Sequence, residues 1–268
     1  MKILVIGDAM NDAIWRGHVS RISPVAPVPV VRVESTEMRA GGAANVANNI
    51  EAMGVPVERI FGGGERILKI TVLDKRQHMA RIDFDHPQTA IQPDAAFLEA
   101  VARCALVVAI DYGKGSLANI AALIAAAPGK PFLIDPKGCD YAKYRGAALL
   151  KPNRDEMREL VGGWSSQQEL DYKVRQFMHA GGIASILLTQ AEDGMTLYSP
   201  EPFHIPSHNR APVDVSGAGE AALAAYAVAL AQAHPSHACL LYASKAAGLA
   251  IARPGTVVLT KEEVFGTG

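Results

Sequence analysis

The chain contains the heptapeptide Asp214-Val215-Ser216-Gly217-Ala218-Gly219-Glu220, which leads directly into an Ala-rich segment with the composition of a helix. Two glycines just ahead of a helix leave backbone N–H groups at its positive end, where they can bind a phosphate or a developing oxyanion. A carboxylate that closes such a motif can take the proton of an attacking hydroxyl. Gly217, Ala218 and Gly219 are therefore candidates for an anion hole, and Glu220 is the candidate general base.

The same motif also has a plainer interpretation. Ser, Gly and Glu at the start of a helix are residues that capping and the helix dipole favour in any protein. The spacing alone therefore leaves open whether this is a phosphate site or an ordinary helix N-terminus, and the rest of the chain has to be considered.

Composition excludes several classes of protein. The net charge is −1, from 26 Lys and Arg against 27 Asp and Glu, which gives no general field for nucleic acid or an anionic membrane. Cys104, Cys139 and Cys239 are odd in number and widely spaced, so they predict neither a disulfide framework nor a zinc site. No apolar stretch is long enough for a signal peptide or a membrane span. We expect a soluble cytoplasmic protein without nucleic-acid or membrane partners.

The order of apolar segments predicts the fold class. Residues 1–8 have the composition of a buried central strand, and from residue 93 onward apolar strands alternate with helical segments. Such alternation favours a mainly parallel, doubly wound α/β sheet with helices on both faces. Asp, Lys, Asn and Glu recur just after the strands, at the sheet edge where ligands bind in this class.

Two other regions predict a smaller β layer. Residues 23–33 begin Pro-rich and end with β-branched residues, which suits an edge or flap strand, although the residues alone favour a structural linker. Residues 67–73 and 78–84 read as a hairpin. We therefore expect a single domain over residues 1–268, with a small β lid whose strands come from about 14–36 and 66–85.

A second glycine pair precedes the helix predicted for residues 43–53. Gly41 and Gly42 allow the backbone to approach a ligand closely. Asn45, in the first turn of this helix, suits a hydrogen bond to a sugar hydroxyl, and it suits local capping equally well.

Taken in order, these motifs resemble the ribokinase-like (PfkB) carbohydrate kinases, and within that family the kinases of D-glycero-β-D-manno-heptose 7-phosphate. The resemblance covers nearly the whole chain. It is carried by Gly7-Asp8 with Asp12, Ser20-Arg21-Ile22-Ser23-Pro24 through Val30, Gly41 to Ala47, Arg81 to Phe84, Asp111-Tyr112 with Lys114-Gly115, Asp135 to Gly138, Pro152-Asn153 with Glu156, and Asp214 to Gly219.

The resemblance implies phosphorylation of the anomeric hydroxyl of a sugar phosphate, with ATP as co-substrate and Mg²⁺ as cofactor. It assigns the sugar and its phosphate to Asp12, Arg21, Gly41, Gly42, Asn45, Arg81, Asp111, Lys114, Lys137 and Asp214. It places Mg²⁺ near Asn153 and Glu156, through water, and the nucleotide near Asn153, Thr189, Gly194, Ala243 and Ala247. A homodimer through the lid strands and a separate nucleotidyltransferase of the same pathway are the expected partners.

Two departures from the family pattern keep other interpretations open. Glu220 stands where the family has Asp, and its additional methylene displaces the carboxylate by ~1 Å, which can cost about a hundredfold in rate. Gly62-Gly63-Gly64 leads almost directly into the lid, so one covering helix of the family is missing and a sheet face is either exposed or covered by another subunit. The alternatives are a weakened or inactive relative that binds nucleotide or sugar phosphate, and a kinase of another sugar or a nucleoside.

Overall fold

The structure is a computed structural model that describes residues 1–75, 77–138, 140–207 and 213–266. Its strands, in chain order, are β1 Ile3–Gly7, β2 Ala9–Ile22, β3 Pro29–Gly42, β4 Val57–Phe61, β5 Ile67–Asp74, β6 Gln77–Phe84, β7 Leu106–Ile110, β8 Phe132–Asp135, β9 Leu149–Leu150, β10 Ile186–Thr189, β11 Met195–Tyr198 and β12 Phe203–Ile205. Its helices are α1 Ala43–Ala52, α2 Ala95–Arg103, α3 Ile120–Ala126, α4 Arg154–Val161, α5 Gln167–Gly181, α6 Ala218–Ala231, α7 Ser236–Ile251 and α8 Lys261–Phe265.

The larger sheet has the order β12-β11-β10-β9-β8-β7-β1-β4. It is parallel from β4 to β10, while β11 and β12 are antiparallel. Every residue of β1 and β7 is buried, as expected for strands covered on both faces. The predicted doubly wound α/β class is confirmed.

Each face of this sheet carries its own core, because side chains alternate along a strand. Ile3 and Val5 pack in one core with α1, α6 and α7, whereas Leu4 and Ile6 pack in the other with α2, α3 and α5. Ten residues of helix α6 are buried, Glu220 and the nine uncharged residues that follow it. This burial fixes the position of its N-terminus relative to the strand ends.

The smaller sheet has the order β3-β2-β5-β6. β1 leads into β2 through Asp8 alone, and β4 leads into β5 through residues 62–66. Two neighbouring strands of the larger sheet therefore deliver the smaller sheet to its carboxyl edge. The strand at Ala9–Ile22 begins earlier than the sequence predicts, because Asn11 and Asp12 interrupt the apolar pattern there.

β4 lies at the end of the larger sheet within the described part of the chain, directly before the segment that the resemblance predicts to be shortened. Neither face of β4 is bare: Val57 and Phe61 pack against one core and Ile60 against the other. Glu58 is paired with Lys2 and with Arg103 of α2. Charged side chains on an edge strand oppose uncontrolled strand pairing.

Three further observations bear on the sequence predictions. The hairpin of β11 and β12 was not predicted, because β12 is short and mostly exposed. Cys104 and Cys239 are buried free thiols, and Cys139 lies outside the described residues. None of the helices in the described ranges is long and apolar enough to cross a membrane.

Candidate active site

A cavity of about 740 Å³ lies between the smaller sheet and the N-terminus of α6. The strand register pairs Asp12 with Lys69, and Lys69 with Asp83, so these side chains lie on one face of the smaller sheet. Asp12, Arg16, Gly42, Lys69, Lys75, His78, Arg81, Tyr112, Asp214, Gly217 and Glu220 are among the lining residues. The lid and the anion-hole motif thus border one space.

Glu220 lies in the first turn of α6, and only 5% of its surface is exposed. Its Oε1 accepts hydrogen bonds from the backbone N–H of Gly42 at 3.1 Å and from the hydroxyl of Tyr112 at 2.5 Å. Its Oε2 accepts one from Nδ2 of Asn45 at 2.6 Å. The structure therefore brings together the candidate base and two residues predicted for the sugar site.

The environment of Glu220 raises its pKa to about 7. Burial is the largest cause, since it disfavours the charged form, and the nearby carboxylates of Asp135 and Asp12 act in the same direction. Hydrogen bonds from Tyr112 and Asn45 oppose the shift. A carboxyl group with a pKa near neutrality is suited to general base catalysis.

The N-terminus of α6 has the geometry of an anion site. Gly217 precedes the helix with a left-handed φ of 73°, and none of the described side chains caps this end. A Cβ at Gly219 would lie 2.8 Å from Nζ of Lys151. Glycine at this position therefore lets an ammonium group lie beside the helix amides, where both can stabilise the same anion.

Lys151 and Asp135 also lie at this end of α6, although the sequence did not single them out as site residues. Their side chains form an ion pair at 3.0 Å, in which the Lys151 side chain is buried and that of Asp135 is 16% exposed. Their positions relative to the strands could have indicated this location, because Asp135 ends β8 and Lys151 directly follows β9. In a parallel sheet the carboxyl ends of such strands converge.

Asp214 lines the cavity, but its carboxylate is engaged with the backbone. It accepts hydrogen bonds from the N–H groups of Ser216 and Gly255, both at 2.8 Å. Nη1 of Arg39, on β3, donates to the carbonyl oxygens of Pro254 at 2.5 Å and Thr256 at 3.0 Å. Arg39 and Asp214 thus connect the lid, loop 254–256 and the anion-hole segment.

Several residues predicted for the substrate do not line this cavity. Arg21 lies exposed near the end of β2, Lys114 is paired with Asp85 at 2.6 Å, and Lys137 with Glu156 at 3.0 Å. The carboxylate of Asp111 accepts from Lys143 at 2.7 Å and from Tyr144 at 2.6 Å. Lys114, Lys137 and Asp111 are instead held in ion pairs with other side chains, which sequence spacing does not reveal. Arg81 does line the cavity, together with Lys69.

The residues predicted for Mg²⁺ form a capping box at the start of α4. Oδ1 of Asn153 accepts from the N–H of Glu156, and the carboxylate of Glu156 accepts from the N–H of Asn153, both at 2.9 Å. Burial raises the pKa of Asp135, and the charge of Glu156 raises it further. Two neighbouring carboxylates fit Mg²⁺ that is held through water. The described part of the chain has no cluster of three or more His, Cys, Asp or Glu that would hold a metal alone.

The residues predicted for the nucleotide have different surroundings. Thr189 is bridged to Asn153, so these two lie together at the carboxyl edge of the sheet. A Cβ at Gly194 would lie 2.1 Å from the carbonyl oxygen of Ile205, so Gly194 is needed for its turn. Ala243 and Ala247 lie on α7 in the core, and Ala243 is fully buried.

The chain is similar to several characterised proteins. The sequence profile of the pfkB family carbohydrate kinases matches residues 70–262. The D-beta-D-heptose 7-phosphate kinase of Bordetella bronchiseptica is 39% identical over 298 residues, which cover 99% of this chain and 95% of that protein. The bifunctional protein HldE of Methylococcus capsulatus is 37% identical over 98% of this chain, which spans 63% of that protein. Alignments longer than the 268 residues of the chain mean that these relatives carry residues that it lacks.

Solved structures agree on the fold. Ribokinase from Arabidopsis thaliana matches with a TM-score of 0.78 at 18% identity, covering 98% of this chain and 97% of that one. Phosphofructokinase-2 from Escherichia coli matches with a TM-score of 0.76 at 16% identity, covering 99% and 96%. The fold is ribokinase-like. On the match to the family profile and the identity with its relatives, the chain belongs to the pfkB family of carbohydrate kinases.

Proposed function

We propose that this protein transfers the γ-phosphoryl group of Mg²⁺-ATP to a hydroxyl of a sugar phosphate, and that the substrate is D-glycero-β-D-manno-heptose 7-phosphate, phosphorylated at its anomeric hydroxyl. The observation that carries the proposal is the buried carboxylate of Glu220 at the N-terminus of α6, facing a cavity that cations also line. The similarity to the D-beta-D-heptose 7-phosphate kinase of Bordetella bronchiseptica supports the choice of sugar.

The chain's own residues account for the chemistry. Glu220 takes the proton as the O–H bond of the sugar breaks, and the sugar oxygen forms a bond to the γ-phosphorus. The bond from that phosphorus to the bridging oxygen breaks, and ADP leaves. Amides at Gly217 to Gly219 and the ammonium of Lys151 stabilise the charge on the phosphoryl group. Mg²⁺ neutralises the triphosphate when bound, and Asn153 and Glu156, with Asp135 nearby, would hold it through water.

Lys69 and Arg81 are the proposed partners of the phosphate already on the sugar. Both line the cavity on the face of the lid that carries Asp12. Arg81 is paired with Asp83 at 2.9 Å, whereas no ion pair of the described residues involves Lys69, whose ammonium lies 4.8 Å from the ring centroid of Tyr112. Burial lowers the pKa of Lys69. A dianionic phosphate would favour its charged form.

The test is ADP release from Mg²⁺-ATP, with and without heptose 7-phosphate. Sugar-dependent release supports the proposal, and release with another sugar or a nucleoside instead would redirect the substrate assignment. The rival function is a weakened or inactive relative that binds these ligands. No release at concentrations where binding is measured, from wild type and from Glu220→Asp, would favour that rival.

The proposed assembly is a homodimer through the lid. Met38, Ala13, Ile70 and Ile82 are successive partners in the strand register and form an apolar row across all four strands, on the face opposite Asp12. The outer members are exposed, Met38 by 60% and Ile82 by 41%, whereas Ala13 and Ile70 between them are already buried. A second copy would cover the two exposed members. Sedimentation should show a dimer that Ile82→Glu dissociates, and a monomeric wild type would contradict the proposal.

We also propose where the reaction takes place and which class of enzyme uses its product. Mg²⁺-ATP is a cytoplasmic co-substrate, so we place the protein in the cytoplasm. A sugar 1-phosphate product suits a nucleotidyltransferase, which we propose as a separate partner in the same pathway.

A further inference from the structure

The two oxygens of the Glu220 carboxylate have unequal surroundings. Each carboxylate oxygen has two lone pairs that can accept hydrogen bonds. Oε1 accepts two, from the N–H of Gly42 at 3.1 Å and the hydroxyl of Tyr112 at 2.5 Å. Oε2 accepts one, from Asn45 at 2.6 Å. Among the described donors, Oε1 is saturated and Oε2 keeps one lone pair.

We propose that Tyr112 is a positioning residue for Glu220, because its hydroxyl and the N–H of Gly42 occupy Oε1 and leave Oε2 as the atom that accepts the proton of the substrate. This inference rests on the proposed function and specifies how its base is oriented. Tyr112 donates its own proton in the hydrogen bond and is not consumed in the reaction. It acts on the substrate through Glu220.

The surroundings of Tyr112 suit a permanent donor. Burial raises the pKa of its hydroxyl well above the usual value, and the charge of Glu220 acts in the same direction. The hydroxyl therefore stays protonated while Glu220 titrates. The ring is held independently of the hydroxyl, since Lys69 lies over it and the N–H of Tyr112 donates to Asp8 at 2.9 Å.

The other charged groups around Glu220 come from three elements. Asp12 on β2 and Lys69 on β5 face it from the lid, and Asp135, paired with Lys151, faces it from the end of β8. The two acids raise the pKa of Glu220. None of these groups changes when the hydroxyl of Tyr112 is removed. The contribution of that hydroxyl to the pKa of Glu220 can therefore be measured separately.

The additional methylene of Glu, compared with Asp, explains why positioning is needed. A longer side chain has one more rotatable bond, and its carboxylate needs external contacts to hold one orientation. In the Glu220→Asp variant, the shorter side chain draws the carboxylate back toward α6 and away from Tyr112. The effects of the two residues should therefore depend on each other.

The experiment compares Tyr112→Phe with Tyr198→Phe, in the wild type and in Glu220→Asp. Tyr198 is a matched control. It is buried, its hydroxyl donates a hydrogen bond of 2.9 Å to Asp171, and it does not line the cavity. Tyr112→Phe should lower kcat about tenfold. It should also move the acidic limb of the pH profile of kcat/KM to higher pH by about one unit, as loss of one charge-assisted hydrogen bond predicts. In the Glu220→Asp background the loss should be below about threefold. An equal loss in both backgrounds, or an unmoved limb, overturns the proposal.

A second measurement does not depend on activity. In protein labelled with ¹³C at the glutamate carboxyl carbon, the Glu220 signal is assigned by its absence in Glu220→Gln. Its titration should move to higher pH in Tyr112→Phe and not in Tyr198→Phe. If Tyr112→Phe does not fold, 3-fluorotyrosine can replace the tyrosine at position 112. Because it is a stronger hydrogen-bond donor, it should move the titration of Glu220 to lower pH.

These readouts separate the two proposals. A titration shift without any phosphoryl transfer by the wild type would contradict the kinase function and leave the positioning of Glu220 standing. Sugar-dependent transfer with no titration shift would contradict the role of Tyr112 and leave the kinase function standing.

Discussion

Nζ of Lys151 lies 3.0 Å from Oδ1 of Asp135, and the two side chains form an ion pair beneath the N-terminus of α6, beside Gly219. Breaking a buried pair by removing one partner is strongly destabilising, because the other charge is left without compensation. The pair also brings positive charge to the anion hole. Its loss should therefore affect both stability and rate.

Lys151→Met should lower the free energy of unfolding by about 3–5 kcal/mol at pH 8. The loss should be smaller at pH 5, because the unpaired Asp135, whose pKa burial already raises, takes up a proton there. Urea unfolding at both pH values measures this. Lys2→Met, at the exposed pair with Glu58, is the control and should change little. Equal effects of the two substitutions would contradict the role of burial.

Glu220→Gln should change how stability depends on pH. The pKa of Glu220 is raised from 4.5 to about 7 in the folded state. The unfolded chain therefore loses this proton first, and wild-type stability falls as pH rises from about 4.5 to 7. The variant lacks this loss, so its stability relative to wild type should rise over that range by on the order of 3 kcal/mol.

Urea unfolding from pH 5 to pH 8 tests this difference. Glu263→Gln is the control, because the hydrogen bond from Arg253 lowers the pKa of Glu263 from its ordinary value of 4.5. The contribution of that carboxylate to stability is lost only as pH falls below this value, so the Glu263→Gln curve should stay parallel to wild type from pH 5 to pH 8. Wild-type and Glu220→Gln curves that stay parallel would show that the Glu220 pKa is not raised.

Lys69→Met and Arg81→Met should each raise KM for the sugar phosphate by about tenfold, because each removes a cation that faces the proposed phosphate. For Arg81→Met, kcat and KM for ATP should change much less, whereas Lys69→Met should also lower kcat, because Lys69 lies over the ring of Tyr112. Arg32→Met is the matched control, an exposed lid cation on β3 that does not line the cavity. A change in kcat with unaltered KM would place the phosphate elsewhere.

Arg39→Gln should lower kcat about tenfold with little change in KM for the sugar. The substitution removes the donors to Pro254 and Thr256, in the loop whose Gly255 N–H holds Asp214. A displacement near 1 Å at the anion hole is enough for such a loss. Steady-state kinetics test it against Arg59→Gln, which breaks an exposed pair with Glu51 and a hydrogen bond to Asn48, neither of which lines the cavity. Equal rates for the two variants would contradict the connection from lid to anion hole.

Local sequence patterns predicted most of the large sheet. The apolar run of residues 3–6 and the repeated strand-helix order each report burial within a few neighbouring residues, and the fold follows from them. The β11–β12 hairpin was not predictable in this way, because its strands are short and β12 is mostly exposed. The start of β2 was not predictable because Asn11 and Asp12 interrupt the apolar pattern there, and of these Asp12 lines the cavity.

For the candidate site, the sequence predicted some residues and the tertiary structure identified others. The sequence by itself determined the fold class, the two glycine motifs and the carboxylate at Glu220, because these depend on residue type and short spacing. Tertiary structure alone decided that Tyr112 contacts Glu220, 108 residues away, and that Lys151 lies beside Gly219. It also decided that Lys114 and Lys137 are paired with neighbouring acids. Such contacts depend on strand register and helix placement, which bring together side chains that no local pattern relates.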